Sequence, residues 1–452
     1  MLDILIINGF YPNFRENILK NANIGIKNGH ITYVGHNEPE AKTTIDAIGK
    51  IVSPGFIDIH MHEEEFVKEG FGYVIANHMM NMGVTTAVAG NCGHLRQPIE
   101  AFKEVINILG GSPVNYLIFA GYNTLRTDLG IKAYEKTSKS DRDKIRKRMK
   151  AEIEEGAIGI SFGIEYDPAI TYEEMLYAVA PFDDPNYIVS MHYREECNIN
   201  LDPIEEMIRF SRDIPQKFQI SHLSSCCSFG TMKASLEAIN KAMRTDKGLN
   251  YDTYPYDAFS CSIGSAVFDE GCFESWGKGY ESVMLTGDPY KGIFCNKEIF
   301  EDARKNYPNM LAVCFVMHED DIRDAITNKN GMIASDGLMR KGFGHPRAAG
   351  TFPRVLGKYV REGKALTLMD ALRKMTLEPA KRLRLSTRGQ IAEGMTADIT
   401  IFDPRTVIDR ADYFDIKRPK GIDHVIIDGK FAIKDSVIVD RRLGKFISYY
   451  DI

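Results

Sequence analysis

The chain has 452 residues, with 56 Lys and Arg against 62 Asp and Glu, and a formal net charge of −6 at pH 7. Hydrophobic residues make up 44%, aromatics 10% and charged residues 26%, which excludes intrinsic disorder, a state that needs few apolar residues and high net charge. A mildly acidic chain without a basic block lacks the clustered cations that neutralise phosphates, and no window approaches the ~18 apolar residues of a spanning helix, so neither nucleic acid nor membrane is an expected partner.

In chain order, residues 1–54 alternate apolar and polar positions between tight turns. Runs at 22–27 and 30–34 flank Asn28-Gly29, a strong hairpin signal. Met1-Leu2-Asp3-Ile4-Leu5 lacks the basic stretch and apolar core of a secretory leader. Cysteines 92, 197, 226, 227, 261, 272, 295 and 314 are too few and too irregularly placed for a disulfide scaffold. The expectation is a cytoplasmic protein with reduced thiols, any of which can ligate a metal.

Apolar β-branched runs then recur at 55–59, 85–89, 116–120, 157–161, 187–190, 218–221, 249–254 and 331–335. Their starts lie about 30 residues apart, with a longer gap before the last, and helical patterns lie between them. One predicted helix covers 142–155, opened by Ser140 as N-cap, and another begins at Thr367 with Asp370 completing a capping box. Eight such strands predict an α/β fold, a TIM-like (β/α)₈ barrel over 55–384 with an insertion near 269–309 that covers the site. An open doubly wound sheet is the alternative. The tail, 385–452, repeats the style of residues 1–54, and the two ends together predict a small β-sandwich.

A barrel places chemistry at the C-terminal ends of its strands. The first strand ends Asp58-Ile59-His60-Met61-His62, where both imidazoles project to one side and can share a cation. The second ends Asn91-Cys92-Gly93-His94, and a thiolate there suits zinc and can bridge two metals. The fifth ends at His192, the sixth at His222 and the eighth at Ser335-Asp336-Gly337. Five polar positions in phase with eight strands argue against unrelated core residues or caps. The fourth strand end, Gly159-Ile160-Ser161-Phe162-Gly163-Ile164-Glu165-Tyr166, carries no lysine.

These residues, with Pro54-Gly55-Phe56-Ile57-Asp58, Asn123-Thr124-Leu125-Arg126, Tyr254-Pro255-Tyr256 and His345-Pro346-Arg347, resemble the amidohydrolase superfamily, and more closely its N-acyl-D-amino-acid deacylase (D-aminoacylase) family. The resemblance implies a tight zinc held by Cys92, His192 and His222, and a second, weaker site at His60, His62 and Cys92. It implies that Asp336 is the catalytic carboxylate and that Tyr254, Ser260 and Arg347 hold the substrate carboxylate and polarised carbonyl, with Tyr166 and Ser224 beside them. Three positions depart from the family pattern: Ser224 stands where lysine is usual, Glu63 follows H-x-H in place of aspartate, and Tyr122 precedes Asn123 in place of histidine. The implied reaction is zinc-dependent hydrolysis of small N-acyl-D-amino acids. Cyclic-amide hydrolysis is the neighbouring alternative, disfavoured by the missing strand-four lysine, and a non-catalytic scaffold ranks last. Residues Glu63, Glu64 and Glu65 read as a solvated acidic loop, and Cys226 and Cys227 as non-ligands. His94 and His345 read as outer or substrate contacts, and His30, His36 and His424 as remote from the chemistry.

Overall fold

The computed structural model describes residues 1–62, 64, 66, 72–196, 200–340 and 342–452. Glu63, Glu65 and Cys197 lie outside the described residues. Eight parallel strand positions follow one another around a barrel: Phe56–Asp58, Val84–Ala89, Asn115–Ile118, Gly159–Gly163, Ile188–His192, Lys217–Ile220, Leu249–Thr253 and Met332–Ile333. The third strand pairs with the second along Asn115–Ile118, then turns past Phe119 so that Ala120–Gly121 pairs with the fourth. Closure falls at the functional end. Met61 bridges Gly337 in parallel, and the Asp336 N–H donates to the His60 carbonyl at 2.8 Å. The first and eighth strands are short, yet this contact draws His60 and Asp336 together although 276 positions separate them in sequence. Strand side chains are buried on both faces, which explains the continuous apolar runs of the sequence.

Both termini build the accessory β-domain. One sheet holds Leu2–Ile7, Asn23–Lys27, His30–Gly35 and Ala41–Asp46. In the other, Ile51–Pro54 pairs antiparallel with Ile399–Phe402, joining the N-terminal part to the C-terminal strands Ile422–Ile427, Lys430–Lys434 and Val437–Ile438. The facing surfaces bury Ile4, Ile6, Ile24 and Ile26 against Val52, Ile399, Ile401 and Ile426. Asn28 (φ 50°) and Gly29 (φ 80°) turn one hairpin, and Asp428 (φ 49°) and Gly429 (φ 74°) turn another, the left-handed pairs that a two-residue hairpin requires.

One local reading needs adjustment. The helix predicted over 142–155 runs Lys139–Glu154, and its N-cap is Ser138, not Ser140. Asp141 at N3 decides the boundary, since it returns a hydrogen bond to the Ser138 N–H and completes a capping box there. The helix after Thr367 runs Leu368–Met375 with the Thr367 hydroxyl accepting the Asp370 N–H. Between the seventh and eighth barrel strands, Phe259–Ser262, Leu311–Cys314 and Val283–Leu285 form a small antiparallel sheet, accompanied by helices Cys272–Trp276 and Lys297–Asn306. No helix among the described residues is long and apolar enough to cross a membrane.

Candidate metal centre

His60 and His62 leave the first strand two residues apart, so both rings enter the barrel mouth, and both are buried. Asp58 fixes that exit. It accepts the backbone N–H groups of His60 (3.2 Å) and Ser335 (3.0 Å), and burial pushes its carboxyl up to about 7. Cys92, His222 and Asp336 all have left-handed backbone conformations, with φ of 54°, 31° and 49°. Non-glycine residues are held there only when their surroundings over-determine them, and such strain gathers at functional sites. At Cys92 the bracing is visible. Gly93 (φ 75°) sits so close to Asn123 that an added Cβ would lie 1.8 Å from its Oδ1. Asn123 Nδ2 in turn donates to the Gly163 carbonyl at 2.8 Å, binding the loops of the second and fourth strands together.

The buried ligand atoms converge in two groups that share a thiol. Cys92, His192 and His222 form one, and His60, His62, Cys92 and Asp336 the other, with all ligand atoms of each group within 4.8 Å of one another. Cys92 Sγ lies 3.3 Å from both His60 Nε2 and His222 Nε2, and His192 Nδ1 lies 3.0 Å from His222 Nε2. A tetrahedral zinc with ordinary Zn–N and Zn–S bonds has ligand–ligand edges of roughly 3.3–3.6 Å, close to these separations.

The outer ring nitrogens have partners of their own. His192 Nε2 lies 2.7 Å from Glu165 Oε2, His222 Nδ1 lies 2.8 Å from Ser225 Oγ, and His60 Nδ1 faces Asp252 Oδ1 (3.2 Å). With protons on these outer nitrogens, His192 Nδ1 and His222 Nε2 face each other as lone pairs, an arrangement that a cation relieves. Burial opposes the Cys92 thiolate, but His60, His192 and His62 overcome that cost and bring the thiol down to about 5. A buried thiolate beside converging imidazole nitrogens is a donor set for zinc.

Asp336 borders this set. Its Oδ1 lies 3.1 Å from His62 Nε2 and 3.5 Å from His60 Nε2, and its Oδ2 lies 2.9 Å from Arg347 Nη2. Burial pushes the Asp336 carboxyl up, but Arg347, His222 and the two neighbouring imidazoles hold it well below the ordinary carboxylate range. Arg347 is itself only 1% exposed. It donates to the Ser260 carbonyl (3.2 Å) and lies over the Tyr254 ring (4.7 Å), while its Nε and Nη1 meet no acceptor among the described residues. Ser260 Oγ is likewise buried without a partner among the described residues. Ser224 Oγ accepts the Tyr254 N–H at 3.4 Å, and the Tyr166 ring lies 4.5 Å from that of His192. The Tyr254 hydroxyl points toward Met317 Sδ, 3.8 Å away.

Residues 327–433 match the model of the Amidohydrolase family. Over that stretch the chain is similar to this family. A D-aminoacylase from Alcaligenes xylosoxydans xylosoxydans is 29% identical over 487 aligned positions, covering 99% of this chain and 97% of its own. An N-acyl-D-glutamate deacylase from Bordetella bronchiseptica, solved with zinc and a phosphonate inhibitor that mimics the tetrahedral intermediate, has a TM-score of 0.86 at 25% identity over 99% of both chains. A D-aminoacylase solved to define the role of its binuclear metal centre has a TM-score of 0.87 at 27% identity, over 99% of this chain and 100% of that one.

Around this centre, some expectations change. Glu64 is not part of a solvated loop: it is 1% exposed, and its carboxylate accepts the N–H groups of Val74 (2.9 Å), Ile75 (3.1 Å) and Ala76 (2.6 Å) at the start of helix Ile75–Asn81. The helix supplies unsatisfied donors, and an acidic residue beside it folds inward to meet them. Replacing Glu64 with alanine is expected to cost about 3 kcal/mol or more, because buried N–H groups lose their acceptor; the urea midpoint measures it. His94 is exposed at the mouth, its ring 5.4 Å from that of Tyr166. His345 is buried, donates to the Ala258 carbonyl (3.0 Å) and accepts the Arg347 N–H (3.0 Å), so it orients Arg347. Cys226 and Cys227 belong to neither ligand group. Glu165, Ser225 and Asp252, which hold the outer nitrogens, were missed by reading ligands alone. The signal for Asp252 was a carboxylate inside an apolar barrel strand.

Proposed function

We propose that this amidohydrolase cleaves the amide bond of N-acyl-D-amino acids, giving a carboxylic acid and a free D-amino acid. The observation that carries the reading is the meeting of Cys92, His192 and His222 with Asp336 at one barrel mouth. The full-length similarity to D-aminoacylase and N-acyl-D-glutamate deacylase supports the substrate class. Cys92, His192 and His222 would hold the tighter zinc, with His60, His62 and Cys92 offering a weaker second position. Zinc, when bound, lowers the pKa of a coordinated water toward about 7 and polarises a carbonyl oxygen.

The chain's own groups do the rest. Asp336 accepts the proton of the attacking water and passes it to the leaving nitrogen. Arg347 holds one Asp336 oxygen at 2.9 Å, leaving the other among the imidazoles. The free edge of Arg347 and the Ser260 hydroxyl meet the substrate carboxylate, since both are buried polar groups without a partner among the described residues. The Tyr254 phenol supports the developing oxyanion, Tyr166 walls the pocket beside His192, and Ser224 leaves its position without a cation. A panel of N-acetyl-D- and N-acetyl-L-amino acids with the zinc-loaded enzyme tests the reading: turnover of D substrates is expected, and hydrolysis confined to L substrates or to cyclic amides would contradict it.

Arg347→Met separates two effects. Losing the free edge raises KM for carboxylate substrates by about 10–100-fold, the range for hydrogen bonds to a charged group. Losing the guanidinium also raises the Asp336 pKa. Because Asp336 works ionised, the acidic limb of kcat/KM moves to higher pH, which a pH–rate profile reads directly.

A further inference from the structure

The two imidazoles of the Cys92, His192 and His222 group have different outer partners, yet both chains of contact lead to one residue. On one side, the Tyr193 ring, whose hydroxyl meets the Glu196 carboxylate, stacks on His192, and His192 Nε2 lies 2.7 Å from Glu165 Oε2. On the other, the Glu196 carboxylate lies 3.2 Å from the Tyr193 hydroxyl, which lies 2.9 Å from Ser225 Oγ, which holds His222 Nδ1 at 2.8 Å. The Tyr193 ring reinforces both paths, stacking on His192 with centroids 4.4 Å apart and standing edge-on to His222 at 5.7 Å. Glu196 is 8% exposed, so its carboxylate depends on these donors.

The second Glu196 oxygen leads outward. Its Oε2 accepts the indole N–H of Trp276 at 3.2 Å. Trp276 ends the short helix Cys272–Trp276 in the segment between the seventh and eighth barrel strands, where its ring packs against Phe259, Phe268 and Phe273. It is the only tryptophan in the chain.

We infer that Glu196 is a positioning residue that fixes the ring orientation of both His192 and His222 and anchors them, through Trp276, to the segment that follows the seventh strand. The inference rests on the zinc reading of the preceding subsection and adds to it the residue that sets the affinity of the Cys92, His192 and His222 group. Outer contacts of this kind govern how tightly imidazoles hold a metal. Glutamine at 196 keeps the shape but has one acceptor oxygen for two donors, so either the Tyr193 O–H or the Trp276 N–H must face an amide N–H.

The test uses full-length apoprotein and zinc alone, with two readouts that do not require turnover. In competition with a chromogenic chelator, Glu196→Gln is expected to bind the first zinc equivalent about 10–100-fold more weakly than the unmodified protein, with a similar thermal midpoint for the two apo forms. In the unmodified apoprotein, tryptophan emission is expected to change on adding zinc and to saturate at one equivalent, because occupancy fixes the rings to which Trp276 is tied. Unchanged zinc affinity in Glu196→Gln overturns the inference whichever way the emission moves. If that variant does not fold, emission decides alone: a saturating change supports the inference and a flat titration overturns it. Failure of the unmodified protein to bind any zinc would instead sink the underlying zinc reading.

Discussion

Asp336→Asn is expected to lower kcat by about 10²–10⁴-fold, the usual contribution of a positioned acid–base group, while leaving bound zinc unchanged. The substitution preserves size and removes the capacity to take a proton from water and return it to a leaving nitrogen. The pair with Arg347 is broken as well. Both partners are buried, at 5% and 1% exposure, so about 3 kcal/mol of stability should go with it, readable as a lower urea midpoint. Single-turnover kinetics isolate the chemical step from product release. Near-normal kcat in a folded, zinc-loaded Asp336→Asn protein would remove Asp336 from its proposed role.

Cys92→Ala is expected to act earlier, on the metal. Its thiol belongs to both ligand groups, so its loss leaves each short of its sulfur. The zinc content should fall to near zero by elemental analysis, and activity with it. Alanine inherits a φ of 54° and a loop pinned between Gly90 and Gly93, so the fold pays little beyond the strain already there. Zinc retained at the level of the unmodified protein would mean that Cys92 is not a ligand. Read together, the two variants part chemistry from metal binding: one should keep the ion and lose turnover, the other lose both.

Much of this was legible in the sequence for a physical reason. Parallel barrel strands are buried on both faces, so they appear as unbroken apolar runs, and their polar C-terminal residues stand out against them. His60, His62, Cys92, His192, His222 and Asp336 were visible in that way, and the structure brings them within one cluster of contacts. The Asn28-Gly29 turn was legible because left-handed pairs demand such residues. What sequence hid depended on direction. Glu64 reads as one of three acids in a row, and only the neighbouring helix start turns it inward. Ser138 and Ser140 are equivalent caps until Asp141 chooses between them. Glu165 and Glu196 look like ordinary loop acids, and nothing in their spacing reveals that one meets His192 from behind and the other meets Tyr193 beside it.

Zinc K-edge absorption fine structure of the purified, zinc-loaded protein addresses the central claim most directly. The expected spectrum shows one sulfur at about 2.3 Å with nitrogen or oxygen neighbours at about 2.0–2.1 Å, the distances of a Cys-and-His site. A coordination sphere made of nitrogen and oxygen alone, in protein that hydrolyses N-acyl-D-amino acids, would contradict it.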